Sequence, residues 1–169
     1  IGETEWGIVG SKQQKTYYFK GRAIDGCTHA EHQAEKGEMW MTAEFAGLVE
    51  TLLEQKVEQN HYVRIDKINS DRVPNPGRVK TWKIDPDVLR VFYGDDLVQY
   101  TQAEFRKVVP VFIAFDGVDD LNGFISNILR ELQTYGGTIS HLDFGDKGGN
   151  FLFFFGAPVM YENTPARAM

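Results

Sequence analysis

The stretch from Val108 to Phe155, VVPVFIAFDGVDDLNGFISNILRELQTYGGTISHLDFGDKGGNFLFFF, decides the fold class. It opens on an apolar run, Val108 to Phe115, suited to a buried strand, although Pro110 removes one ladder donor. Asp119 and Asp120 then stand where a helix begins. Its apolar residues, Leu121, Phe124, Ile125, Ile128, Leu129, Leu132 and Tyr135, follow the three- and four-residue spacing of one helical face. Gly136 and Gly137 stop it. Two strands should follow, Thr138 to Phe144 and Asn150 to Phe155, joined by Gly145-Asp146-Lys147-Gly148-Gly149. Strand, long amphipathic helix and hairpin are half of a ferredoxin-like α/β sandwich, so the expected class is α+β.

Upstream, residues 50–106 read as a connector. Leu48, Val49, Leu52 and Leu53 suggest a helix, and Tyr62, Arg64 and Asp66 alternate with Val63, Ile65 and Lys67 as a strand. Asn69 to Gly77, with Pro74 and Pro76, reads as an exposed loop, and Pro86 to Tyr93 as a short helix. In residues 1–49, Glu5 to Gly10 and Thr16 to Phe19 are expected strands around the polar turn Ser11-Lys12-Gln13-Gln14. Ala23, Cys27, Ala30 and Ala34 then form a helical stripe ended by Gly37, and Glu38 to Met41 reads as another strand.

The 169 residues suffice for one ordinary domain and are few for two well-packed ones. A net charge of −6 argues against a generic nucleic-acid binder, which needs a Lys/Arg surplus to neutralise phosphates. No apolar run approaches the ~20 residues that span a bilayer, so no membrane partner is expected. The lone Cys27 excludes an internal disulfide and fits a reducing, cytoplasmic setting. Ile1-Gly2-Glu3 does not open a signal peptide. Thr164-Pro165 reads as the start of a helix, so the chain is expected to be cut from something longer.

The Phe112-Ile113-Ala114-Phe115-Asp116-Gly117 strand end, His141, the Gly145-Asp146-Lys147-Gly148 turn and Phe155-Gly156-Ala157-Pro158 together resemble the opening half of a class III adenylyl/guanylyl cyclase domain. The turn is especially similar to the second domain of the tandem, bicarbonate-regulated soluble cyclases and their bacterial relatives. Trp6-Gly7-Ile8-Val9-Gly10 and Tyr17-Tyr18-Phe19-Lys20-Gly21-Arg22-Ala23-Ile24-Asp25 resemble the closing half of such a domain. The resemblance therefore implies a window across two cyclase domains: the end of a degenerate first domain in 1–49, a connector in 50–106, and the start of a second in 107–169. It implies ferredoxin-like sandwich halves and a parent that makes cyclic nucleotide from ATP or GTP with Mg²⁺ or Mn²⁺. The partner would be the other cyclase domain of the same chain.

Residue by residue, the resemblance implies an inactive segment. Ala114 stands at the first metal-ligand position and offers no oxygen; Asp116, two residues on, is a shifted candidate. Asp146 stands at the second, with a turn residue as the alternative. His141 takes the place of an adenine-binding Lys, with a structural role as the alternative, and Lys147 is a phosphate-type cation beside it. The family's Asn and Arg, four residues apart, are matched by Asp25 and His29. An ionised Asp cannot donate, and His lacks the guanidinium's fixed charge and five-donor fork. Tyr18 stands at the purine-selecting position and Thr28 at that of a bicarbonate-site Arg. A non-catalytic cyclase fold that regulates an attached ATPase or repeat region is the alternative function. The turn Gly145 to Gly149 is a poor phosphate loop because it runs into a strand instead of a helix. Arg72, Arg78, Lys80, Trp82 and Lys83 read as a solvated connector. The two halves are also expected to pack as one permuted module, with the helices Asp119–Tyr135 and Ala23–Ala34 covering the sheet.

Overall fold

The computed structural model describes residues 1–75, 77, 81–99, 105–145 and 147–169, with the backbone alone at 96 and 99. The described residues form α-helices and three small antiparallel sheets, an α+β arrangement. They divide into two compact units, 1–5 with 20–82 and 6–19 with 83–169. These units cut across the three sequence zones.

A hairpin of β1 (Glu5–Gly10) and β2 (Lys15–Lys20) makes a two-stranded sheet. The Ser11 hydroxyl accepts from the backbone N–H groups of Gln13 and Gln14, at 3.1 and 3.2 Å, and fixes the turn. Gly10 has φ +124°, and a β-carbon there would lie 2.5 Å from the Gln14 carbonyl oxygen. Only glycine fits such an approach.

In the first unit, α1 (Arg22–His32) lies against β3 (Trp40–Thr42). The expected helix to Ala34 stops at His32, and of its alanine stripe only Ala30 is buried; Cys27 is exposed. In place of a helix around Leu48 to Leu53, α2 (Ala43–Leu48) is capped by Thr42 and followed by a 3₁₀ turn, Glu50–Leu52. The Thr42 cap satisfies an orphan N–H and so begins the helix earlier than apolar spacing suggested. The strand β4 (Leu53–Gln59) was not foreseen, because its residues do not alternate in polarity and six of the seven are exposed. It pairs with β5 (Tyr62–Ile68), and the sheet order is β3-β5-β4. Asn60 and His61 join them with φ +48° and +67°. Positive φ at both central residues is the hairpin-turn geometry that suits strand twist, and Asn and His tolerate it.

In the second unit, α3 (Pro86–Gln99) breaks at Gly94, with φ 74° and ψ 163°. The strand β6 (Val109–Phe115), α4 (Leu121–Tyr135), β7 (Gly137–Gly145) and β8 (Gly148–Phe155) follow, then the single turn α5 (Thr164–Arg167). Asp120 caps α4 by accepting from Gly123 N–H at 2.9 Å, and Gly136 ends it in the left-handed region. The sheet order is β6-β8-β7. The apolar run at Val108 to Phe115 is therefore an edge and not a buried strand, and Phe112 is 65% exposed. An edge tolerates Pro110, since one side of its backbone has no ladder to complete.

The buried strand is β8. Phe151, Phe153 and Phe155 alternate onto the core face, where Ile125, Leu129 and Leu132 of α4 cover them with Ile139 and Leu142 of β7. Val9 and Tyr18 of the hairpin join this same core. The segments Trp6–Gly10 and Val108–Phe115 thus lie in separate sheets but share a core, while the helix at 22–32 belongs to the other unit. Among the described residues, no helix is long and apolar enough to cross a membrane.

Candidate functional site

The chemistry-bearing residues fall in two places. The first is the end of β6 beside the β7–β8 turn. Gly145 pairs with Gly148, so only positions 146 and 147 connect the strands, a tighter turn than the five residues expected. Phe115 pairs with Gly149, which carries the chain just past β6 alongside that turn. A β-carbon at Gly148 would lie 2.5 Å from the Phe115 carbonyl oxygen and 3.1 Å from the Asp116 β-carbon. The fold thus sets Asp116 beside the turn that holds Lys147. Both side chains are exposed, and Asp116 Oδ1 accepts from Gly117 N–H at 2.8 Å. Ala114 lies opposite Asn150 and presents no ligand atom. Asp146 lies outside the described residues.

His141 stands apart from this corner. It pairs opposite Leu152, four residues before Gly145, or roughly 13 Å along the strand. Its Nε2 lies 3.1 Å from Asp143 Oδ2, and its Nδ1 is 3.0 Å from the Ser140 hydroxyl. With Nε2–H donating to Asp143, Nδ1 accepts from Ser140, so both ring nitrogens are occupied. This Asp–His–Ser chain lies on an exposed strand face. It has no water-excluding pocket of the kind that activates a serine nucleophile.

Among the described residues, no group of three or more His, Cys, Asp or Glu could hold a metal ion. Asp116 alone is not a ligand set for Mg²⁺ or Mn²⁺, which take several oxygen ligands.

The second place is a cleft of about 360 Å³ in the first unit, lined by Arg22, Asp25, His29, Glu44, His61 and Tyr62 among others. Asp25 and His29 lie one helical turn apart on α1 and so share a face. Glu44 is held below the usual carboxylate range, first by its own backbone N–H, then by the Thr42 hydroxyl and the Arg22 charge. Arg22, Glu44 and His61 had no signal as site residues in the sequence. His61 enters through the hairpin turn it shares with Asn60, and Arg22 opens α1. Two positions that the resemblance singled out are engaged within the fold. Tyr18 packs into the core, 5.3 Å from the Phe144 ring, and the Thr28 hydroxyl bonds back to the Ile24 carbonyl at 3.3 Å. Of the connector's basic residues, Arg78 and Lys80 lie outside the described residues, and Arg72 donates to the Thr51 carbonyl at 3.2 Å.

No family model matches the chain, and no curated protein matches it closely enough to show a relationship.

Proposed function

We propose that this chain is a segment of a class III nucleotide cyclase-like signalling protein, and that it does not cyclise ATP or GTP by itself. The observation that carries the reading is the corner where β6 ends beside the β7–β8 turn. A strand, a long helix and a hairpin meet there and place the Asp116 carboxylate next to the turn of Lys147. In this reading β6, α4, β7 and β8 are the opening half of a ferredoxin-like sandwich, and α1 brings Asp25 and His29 from a closing half. Lys147 would meet phosphate charge, and Asp116 together with Asp146 would supply the carboxylates for Mg²⁺ or Mn²⁺ in the parent. Cyclisation places negative charge on the α-phosphate and the leaving pyrophosphate, which fixed cations must meet. Ala114, Asp25 and His29 withhold a ligand oxygen, a neutral donor and a guanidinium, so the chain alone lacks that compensation.

Incubation of the chain with ATP or GTP and Mg²⁺ or Mn²⁺ should give no cyclic nucleotide by mass spectrometry. Titration with a non-hydrolysable ATP analogue should show weak, Mg²⁺-dependent binding that perturbs the resonances of Asp116 and Lys147 and weakens further in Lys147→Ala. Cyclic product, or tight binding unchanged by Lys147→Ala, overturns the assignment of this corner. The second reading, a non-catalytic regulatory module, is favoured by Ala114 and by the carboxylate of Asp25 where a phosphate would approach. It predicts no nucleotide-dependent shift at any millimolar concentration.

A further inference from the structure

The second unit also holds an apolar cavity of about 660 Å³. It arises because α4 lies over the β7 side of the sheet and leaves the β6 edge partly uncovered. In the ladder Val111 stands opposite Phe153 and Ile113 opposite Phe151, so all four share the face that α4 packs against. Phe151 is fully buried there, whereas Ile113 on the edge strand is 37% exposed. Val111, Ile113 and Phe153 line one side of the cavity, Ile128 and Leu132 of α4 the other, and the chain around α5 adds Ala166. Cavities of roughly 300–1,000 Å³ with apolar walls and few polar groups are of the kind that holds small organic molecules. Water gains little in such a place, since it needs about two to four polar partners.

Two charged residues line the cavity, and they are not equivalent. Glu131 Oε1 lies 3.4 Å from Arg130 Nη2, so its charge is met on the helix surface. Arg167 has no carboxylate partner among the described residues. Its Nε donates to Asn163 Oδ1 at 2.8 Å and its Nη1 to the Tyr135 carbonyl at 3.3 Å. The guanidinium lies 3.9 Å from the centre of the Tyr161 ring. These contacts hold it in place with neutral partners and leave N–H donors over, since a guanidinium carries five. Tyr135 also lines the cavity, so the fixed cation stands at the end where α4 finishes. A guanidinium takes a carboxylate in a fork of two parallel hydrogen bonds. One such cation balances one carboxylate, leaves a phosphate dianion half neutralised, and repels an ammonium.

From this geometry we propose that the cavity binds an alkyl carboxylate, its hydrocarbon chain between α4 and the β6 edge and its head on Arg167. The α4 wall from Phe124 to Tyr135 runs about 16 Å, which accommodates a medium-length chain such as decanoate. The site uses neither Asp116 nor Lys147, nor any residue of α1, so it stands without the cyclase reading.

The test is a heteronuclear NMR titration of the full chain with hexanoate, octanoate and decanoate, and with decylammonium, which carries the opposite charge. The carboxylates should shift the methyl resonances of Val111, Ile113 and Ile128, and each added methylene should tighten binding about fourfold. Decylammonium should bind at least about tenfold more weakly than decanoate, the loss expected when a charged hydrogen-bonded head loses its partner. Arg167→Gln should weaken decanoate by a similar factor and leave the gain per methylene unchanged, because head and tail are held by different groups. No binding at millimolar concentration, affinity that ignores chain length, decylammonium equal to decanoate, or decanoate binding undiminished in Arg167→Gln would each overturn the assignment. Self-association of the unliganded chain that broadens these same methyl resonances would give the cavity to a second copy and overturn it as well. The comparison of ligands uses the unmodified chain, so it decides the question even if Arg167→Gln fails to fold.

Discussion

The two units are built on different balances of force. The unit around α4 and β8 closes on aromatic and aliphatic side chains: Phe151 and Ile125 are fully buried, and Leu129, Phe153, Leu142 and Leu132 nearly so. Rings interlock through it, with Phe151 5.1 Å from Phe153 and 5.6 Å from Phe115. The unit around β5 buries Val63 and the small residues Ala30 and Ala46. Its sheet surface is laced instead with ion pairs: Arg64 with Glu38 and Asp66, Lys56 with Glu50 and Glu58, Lys67 with Glu54. Exposed pairs contribute little and are screened by salt, whereas burial of large apolar groups is the dominant favourable term in folding. Length alone suggested one well-packed domain. The chain instead makes one unit with a full core and a second that rests on its backbone ladder.

That contrast can be broken most directly in the aromatic core. Phe151→Ala should destabilise the second unit by about 3–5 kcal/mol. Hydrogen exchange should then collapse across β7, β8 and α4 while protection in β4 and β5 changes little. Loss of protection in both units together would show a single cooperative core and end the comparison. Next in size is Gly10→Ala, which must hold φ near +124° with its β-carbon 2.5 Å from the Gln14 carbonyl oxygen and 3.1 Å from Leu129 Cδ1. A strained residue of this kind costs about 2 kcal/mol. Its effect should appear as a lower Tm for the second unit, because the hairpin supplies Val9 and Tyr18 to that core. Asp120→Ala removes the cap of α4 and should cost about 1 kcal/mol, recovered in large part by Asp120→Asn or Asp120→Ser.

The smallest effect sharpens the other side of the contrast. The Trp40 indole N–H, the Glu35 backbone N–H and the Arg64 guanidinium hold Glu38 below the usual carboxylate range. A depressed carboxylate stabilises the folded form at pH values above its unfolded value of about 4.3, and that contribution is lost as pH falls through the lower folded value. Exchange at β3 and β5 should therefore accelerate below about pH 4, the region of the unfolded carboxylate value, and Glu38→Gln should remove the dependence. The Asp66 carboxylate first, and Glu38 after it, likewise push Arg64 above its ordinary value, so Arg64 stays charged throughout. A matching acid response in β8, which carries no acidic residue, would contradict the division of forces.

The sequence by itself determined the long helix and what flanks it. The face from Leu121 to Leu132 could bury itself only against apolar strands, Asp120 could begin the helix, and Gly136 could end it in the left-handed region. The apolar run Phe151 to Phe155 likewise marked a strand, although only the structure shows that Phe151, Phe153 and Phe155 take its buried face, and Glu5 to Gly10 was legible from its flanking turn. These are local signals, written in spacing and in cap chemistry. Tertiary structure decided the rest. An apolar run such as Val109 to Phe115 does not say whether it lies at the centre or the edge of a sheet, because pairing is set by partners far away in the chain. The strand β4 carries no polarity pattern; its ladder to β5 and the positive φ at Asn60 and His61 make it a strand. The grouping of Asp116 with the Lys147 turn, of Asp25 and His29 with Glu44 and His61, and of Gln14 with Tyr93 and Thr138 joins residues distant in sequence. No local period encodes such meetings, since they follow from how the faces are buried against one another.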